Sequence, residues 1–172
     1  RRVALAVRSD LSIEDQVMAR GATWLDRQAV ARDPVALGQA GFGAEVREAM
    51  ERRAEQLIEQ GLAERHTQRV VLARNLIGTL RDREVREVGE RLAVETGRTF
   101  SQSGSGEYVT GTYRQRMVLA SGRYAMIDDG LQFQLVPWTP SLEKQQGRHV
   151  SGVARDNGGI DWSFTRNRGL GL

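Results

Sequence analysis

The sequence predicts an α+β protein, helical up to about residue 99 and rich in strands after residue 107. Two observations carry this. Apolar residues recur at helical spacing over residues 44–60 and again over residues 74–96. From residue 108 onward the pattern changes to the alternation of half-buried strands. Between the two lies Ser101-Gln102-Ser103-Gly104-Ser105-Gly106, which by composition reads as a flexible linker and the best domain boundary. The expected organisation is an N-terminal arm with helices (1–41), a helical part (42–99) and a β-rich part (107–168).

The elements follow in order. Ser12 is a helix N-cap, with Asp15 as its capping-box partner. Ile13, Val17, Ala22 and Trp24 supply apolar contacts, and Gly21 breaks or bends the helix. Asp33-Pro34 and the glycines from Gly38 to Gly43 read as irregular chain. Val46, Met50, Ala54, Leu57 and Ile58 line one face of the next helix, and Gly61 closes it. The opposite face is Glu and Arg, with pairs such as Glu48–Arg52. Residues 62–65 and 69–72, joined through His66-Thr67-Gln68, read as a hairpin. A helix followed by such a hairpin resembles the recognition helix and wing of a winged-helix unit. A third helix over residues 74–96 carries Leu76, Ile77, Leu80, Val88 and Leu92, and Gly97 ends it.

In the β-rich part, residues 108–119 form a long strand, and Ser121-Gly122 is a turn. A short strand covers 123–128, and Asp129-Gly130 is the strongest hairpin signal in the chain. Leu131, Phe133 and Leu135 then alternate with Gln132 and Gln134, up to Pro137. Thr139-Pro140 starts a single helical turn, and a final hairpin turns at Asn157-Gly158-Gly159. Five or six short strands with one helical turn predict a small SH3-like β-barrel.

Composition bounds the chemistry. The chain has no cysteine, which removes disulfides, thiol nucleophiles and thiolate metal sites and fits a reducing cytoplasm. No run approaches the roughly 20 apolar residues of a membrane span. The chain opens on Arg1 without a secretory signal, and we expect it to be part of a longer protein. Net charge is only +3. By region, basic and acidic residues number six and five over 1–41, eleven and eleven over 42–99, and eight and six over 100–172. A strongly nucleic-acid-binding domain shows a larger local surplus. Lys144 is the sole lysine, and arginine suits bidentate phosphate contacts.

Candidate catalytic sets fail on count or spacing. His66 and His149 stand alone, too few for a zinc site. No nucleophile elbow and no phosphate loop occurs. Gly41-Phe42-Gly43 before a helix suits an anion or simply a flexible helix entry. Asp128-Asp129 reads as a turn former. No metal or cofactor is expected. Arginine placement supports nucleic-acid contact. Arg47, Arg52 and Arg53 lie on the candidate recognition helix, and Arg65 and Arg69 flank the wing tip. Arg114, Arg116 and Arg123 lie on strands near Tyr113 and Tyr124, a combination that grips single-stranded nucleic acid. Arg166, Asn167 and Arg168 add a basic spot in the tail. A solvated charged face is the alternative for each patch.

The segments "AVRSDLSIEDQVMARGATWLDRQ", "GFGAEVREAMERRAEQLIEQGLAER" and above all "LASGRYAMIDDGLQFQLVPW" resemble the carboxy-terminal region of conjugative relaxase/mobilisation nucleases. In those proteins the region is a domain of unknown function. The resemblance covers nearly the whole chain. It implies a part in DNA transfer between cells, with the metal-assisted nicking tyrosine in a preceding nuclease domain. Nothing of that active site carries over: there is no histidine cluster, and Tyr108, Tyr113 and Tyr124 fall in strand-like runs. The expected function is therefore a non-catalytic, cytoplasmic accessory region. It would assist binding of transferred DNA, or recruitment to relaxosome or type IV secretion coupling proteins. A protein-interaction module without DNA contact and a stand-alone winged-helix regulator are the alternatives.

Overall fold

A computed structural model of the chain describes residues 9–31 and 42–164. The irregular stretch expected at Asp33-Pro34 and Gly38 to Gly41, and the basic spot at Arg166, Asn167 and Arg168, lie outside the described residues. The chain divides into two units, Arg1–Val85 and Arg86–Leu172.

The first unit begins with two short helices, α1 (Ile13–Met18) and α2 (Trp24–Val30). Ser12 caps α1 by accepting from the Asp15 N–H at 3.1 Å. Thr23 caps α2 through a full capping box with Asp26, each side chain taking the other's backbone N–H. Helix α3 (Phe42–Glu59) starts before the expected irregular stretch ends, so Gly43 is already helical. Val46 and Ala49 on α3 pack against Ile13, Val17, Trp24 and Leu25.

α3 ends in a paired cap. Leu62 N–H reaches Leu57 O at 2.8 Å, Gly61 N–H reaches Ile58 O at 3.0 Å, and Gly61 takes a positive φ of 75°. That turn feeds the hairpin β1 (Ala63–His66) and β2 (Arg69–Leu72), paired from Ala63↔Leu72 to His66↔Arg69. Leu57, Leu62, Ala63, Leu76 and Leu80 close a second cluster around Ala22. Leu76 and Leu80 belong to α4 (Leu76–Thr96), and the boundary between the units falls inside this helix.

The second unit is a six-stranded sheet in the order β3-β6-β5-β4-β7-β8. Its strands are β3 (Thr99–Phe100), β4 (Tyr108–Leu119), β5 (Gly122–Asp128), β6 (Gln132–Pro137), β7 (His149–Ala154) and β8 (Ile160–Trp162). A 3₁₀ turn, Pro140–Gln145, joins β6 to β7. Among the described residues β3 and β8 are unclosed edges, so the sheet is open where a barrel was expected.

β4 is shared between two partners. Residues 108–112 pair with β7 and residues 112–119 pair with β5, with a register shift between Tyr113 and Gln115. Such a bulge bends a strand and turns its side chains. Val109, Tyr113, Ala125, Ile127, Val136, Leu142 and Val150 fill the core on one face. The other face buries Met126, Phe133 and Leu135. Phe100 packs on Phe133 there, with ring centroids 5.5 Å apart. Gly89 of α4 makes room for it, since a Cβ at Gly89 would lie 2.5 Å from the Phe100 ring.

The expected linker over residues 101–106 is a fixed part of this unit. Gln102 Nε2 donates to Leu135 O at 2.8 Å, and Gln102 Oε1 accepts from Leu135 N–H at 2.7 Å. Ser103 N–H reaches Gln134 Oε1, and Gly106 N–H reaches Ala154 O. Small polar residues read as a flexible linker, but here they satisfy polar groups of β6 and β7.

Candidate nucleic-acid interface

Arg53 is withdrawn from any interface. It is 2% exposed, and all five of its N–H groups are spent inside the first unit. Nε and Nη2 hold the Asp26 carboxylate, each at 2.9 Å. Nη1 donates to the carbonyls of Val17 and Ala19, and Nη2 also to that of Gly21. The residue ties α3 to the α1–α2 turn. It is next to Arg52 in sequence, but successive residues of a helix are rotated by about 100°, so the two face different ways.

Two of the remaining arginine candidates in this unit, Arg52 and Arg65, are acid-paired. Arg52 makes a bidentate pair with Glu14, at 2.7 and 2.6 Å. Arg65 is paired with Glu55. Arg47 is half-buried and has interactions of its own. Arg69 is exposed on β2, opposite His66. Exposed pairs of this kind add little stability, but they neutralise the face that would meet phosphates.

In the sheet unit both candidate aromatics are withdrawn. Tyr113 and Tyr124 are 2% and 4% exposed, with Tyr113 inside the core cluster. Two residues missed in the sequence take their place. Trp138 lies under the Arg116 guanidinium, 5.0 Å from ring centroid to Cζ. Arg116 is exposed. Arg123 is exposed at the start of β5, and its backbone carbonyl accepts from the Trp138 N–H at 2.8 Å. The second missed residue is Arg98. It joins Arg114 on the buried carboxylate of Asp128, with Arg98 Nη1 2.5 Å and Arg114 Nε 3.2 Å from the same Oδ2. Nothing local in the sequence links Arg98 to a carboxylate 30 residues away.

Asp128 was expected to serve only a turn. It does accept from the Gly130 N–H at 2.8 Å, while Asp129 accepts from Leu131 and Gln132. Burial works against the charged form of Asp128. The Gly130 N–H and then the Arg98 and Arg114 guanidiniums outweigh it, holding its carboxyl below the usual 3.8. A depressed carboxyl stabilises the fold above its ordinary pKa and loses that contribution as pH falls through the lowered value. Wild-type stability should therefore drop steeply below about pH 4, while Asp128→Asn starts weaker and drops less. Urea midpoints at about pH 6 and about pH 3 check this, and parallel losses in both chains would exclude Asp128 as the source.

His66 and His149 are exposed, and His66 Nε2 lies 3.1 Å from Glu64. Among the described residues no group of three His, Cys, Asp or Glu is placed to hold a metal ion. No described helix is long and apolar enough to cross a membrane.

Fold and site together define a two-unit α+β chain whose open sheet carries the exposed arginines Arg114, Arg116 and Arg123. The chain belongs to the family described as Protein of unknown function (DUF3363), which it matches over residues 1–171. No curated protein and no solved structure matches it.

Proposed function

We propose that this chain is a non-catalytic accessory region of a conjugative relaxase, and that its sheet unit grips the transferred DNA as a single strand. The relaxase half of the reading rests on the sequence resemblance. The DNA half rests on one observation: the exposed Arg116 guanidinium stacked on Trp138 without a carboxylate partner among the described residues. A guanidinium on an aromatic ring offers both a phosphate contact and a stacking plane. The finer fold reading belongs to the same proposal. The sequence α3-β1-β2 has the order of a recognition helix and wing. A long bent strand shared between β5 and β7, with a 3₁₀ turn before β7, has the order of an SH3-like sheet in open form.

The test is binding of labelled single- and double-stranded origin DNA at two salt concentrations. Salt-sensitive micromolar binding that weakens in Arg116→Ala is expected. Absence of salt-sensitive binding at micromolar protein removes the DNA half. The acid pairing of Arg52 and Arg65 favours a second reading, in which the helical unit recruits a relaxosome or type IV secretion coupling protein in the cytoplasm. A chain that binds no oligonucleotide, yet is needed for transfer while its parent still nicks the origin, is a recruitment module.

A further inference from the structure

We infer that Arg98 and Arg114, pinned together by buried Asp128, form a seat for one phosphate oxyanion. That this phosphate belongs to a DNA backbone rests on the function proposed above; the seat itself does not.

The charge count is the first argument. Two guanidiniums converge on one carboxylate oxygen, so the Arg98–Asp128–Arg114 triad by itself keeps one positive charge, with the exposed Asp129 carboxylate beside Arg98. Asp128 is 3% exposed and ionised, whereas the Arg98 and Arg114 side chains are 33% and 53% exposed. The Asp128 charge is inside, while both guanidiniums are at the surface together with the Asp129 carboxylate.

The second argument is the donor count. Each guanidinium carries five N–H groups. Arg98 uses only Nη1, on Asp128. Arg114 uses only Nε. Nε and Nη2 of Arg98, and both terminal nitrogens of Arg114, have no acceptor among the described residues. Arg53 is the internal contrast: there every N–H is spent and no charge is left over.

The third argument is pre-organisation. Asp128 restrains both side chains before any ligand arrives, which removes part of the ordering cost of binding. Its own position is fixed by the Gly130 N–H and by β5 pairing, Thr112↔Asp128 on one side and Asp128↔Phe133 on the other. Arg114 is aimed at it by the β4 bulge between Tyr113 and Gln115. Gln146 donates to the Arg114 carbonyl at 3.3 Å, which holds the bulge from the other side. A planar fork on such a support suits a tetrahedral oxyanion.

Arg114→Gln is the useful variant, because Arg98 and Gly130 still hold Asp128. Inorganic phosphate is titrated into the whole chain and followed by amide shifts of residues 112–115 and 128–130. Saturable shifts in the wild type, lost in Arg114→Gln, are expected. A single-stranded oligonucleotide is then titrated into both chains across a salt series. Affinity should fall about tenfold in the variant. The slope of log K against log salt should shrink by about 0.7, one phosphate contact on a single strand. Phosphate shifts without any oligonucleotide binding would leave the seat standing and remove the DNA reading. Oligonucleotide binding with equal affinity and slope in both chains would take the seat out of DNA contact, and phosphate shifts absent from the wild type or unchanged in Arg114→Gln overturn the seat.

Discussion

Replacing Arg53 by Ala should unfold the helical unit under conditions where the wild type is folded. The substitution strands the Asp26 carboxylate, which is fully buried, and orphans the carbonyls of Val17, Ala19 and Gly21. Breaking a buried pair from one side costs about 3–5 kcal/mol, a large share of a domain's total stability. Hydrogen exchange should report lost protection across α1, α2 and α3. Removing both charges is a different matter. In Arg53→Met with Asp26→Leu no buried charge is left uncompensated, and such replacements are often neutral. Here recovery should be partial, because Asp26 also accepts from the Thr23 N–H at 2.8 Å and closes the α2 cap. A lost cap costs about 1 kcal/mol. The double variant should thus lie between the wild type and Arg53→Ala. A double variant as unstable as the single one would mean that the carbonyl contacts, not the charge, carry the clasp.

Gly111→Ala should damage the sheet unit and the arginine seat together. Gly111 has a φ of 152°, in the region that side chains avoid. A Cβ there would lie 2.7 Å from the backbone C and O of Asp128. Those are backbone atoms of the neighbouring strand, so relief requires β4 and β5 to separate. Backbone strain and overpacking together cost roughly 3 kcal/mol or more. Because the displaced residue is Asp128, the pairing of Arg98 and Arg114 should loosen even in the fraction that stays folded. Urea unfolding gives the first effect, and amide shifts of residues 128–130 give the second. Normal stability in Gly111→Ala would show that β4 can shift there at little cost.

Much of the local structure was legible because local physics decides it. Ser12 caps α1, Gly61 closes α3, and Asp129-Gly130 turns the β5–β6 hairpin, each through contacts within a few residues. The linker over 101–106 was misread for the opposite reason. Gln102, Ser103 and Gly106 find their partners on Leu135, Gln134 and Ala154, distant in sequence. The site was less legible than the fold. Arg52 and Arg53 are adjacent letters, yet one faces water with Glu14 and the other closes a core on Asp26. Tyr113 and Tyr124 looked like a stacking surface but fill the interior, while Trp138 takes the guanidinium of Arg116.

The sequence by itself determined the α+β class, the order of the longer helices and strands, though not β3, and the near-balance of charge. Periodicity, caps and turns act over a few residues, and a count of charges needs no coordinates. Only the tertiary structure decided which arginines hold surplus charge. That depends on which carboxylate each guanidinium meets, and the decisive meetings join Arg53 to Asp26 and Arg98 to Asp128 across 27 and 30 residues. Chain crossings at such separations are fixed by core packing and strand register, which the linear pattern does not record.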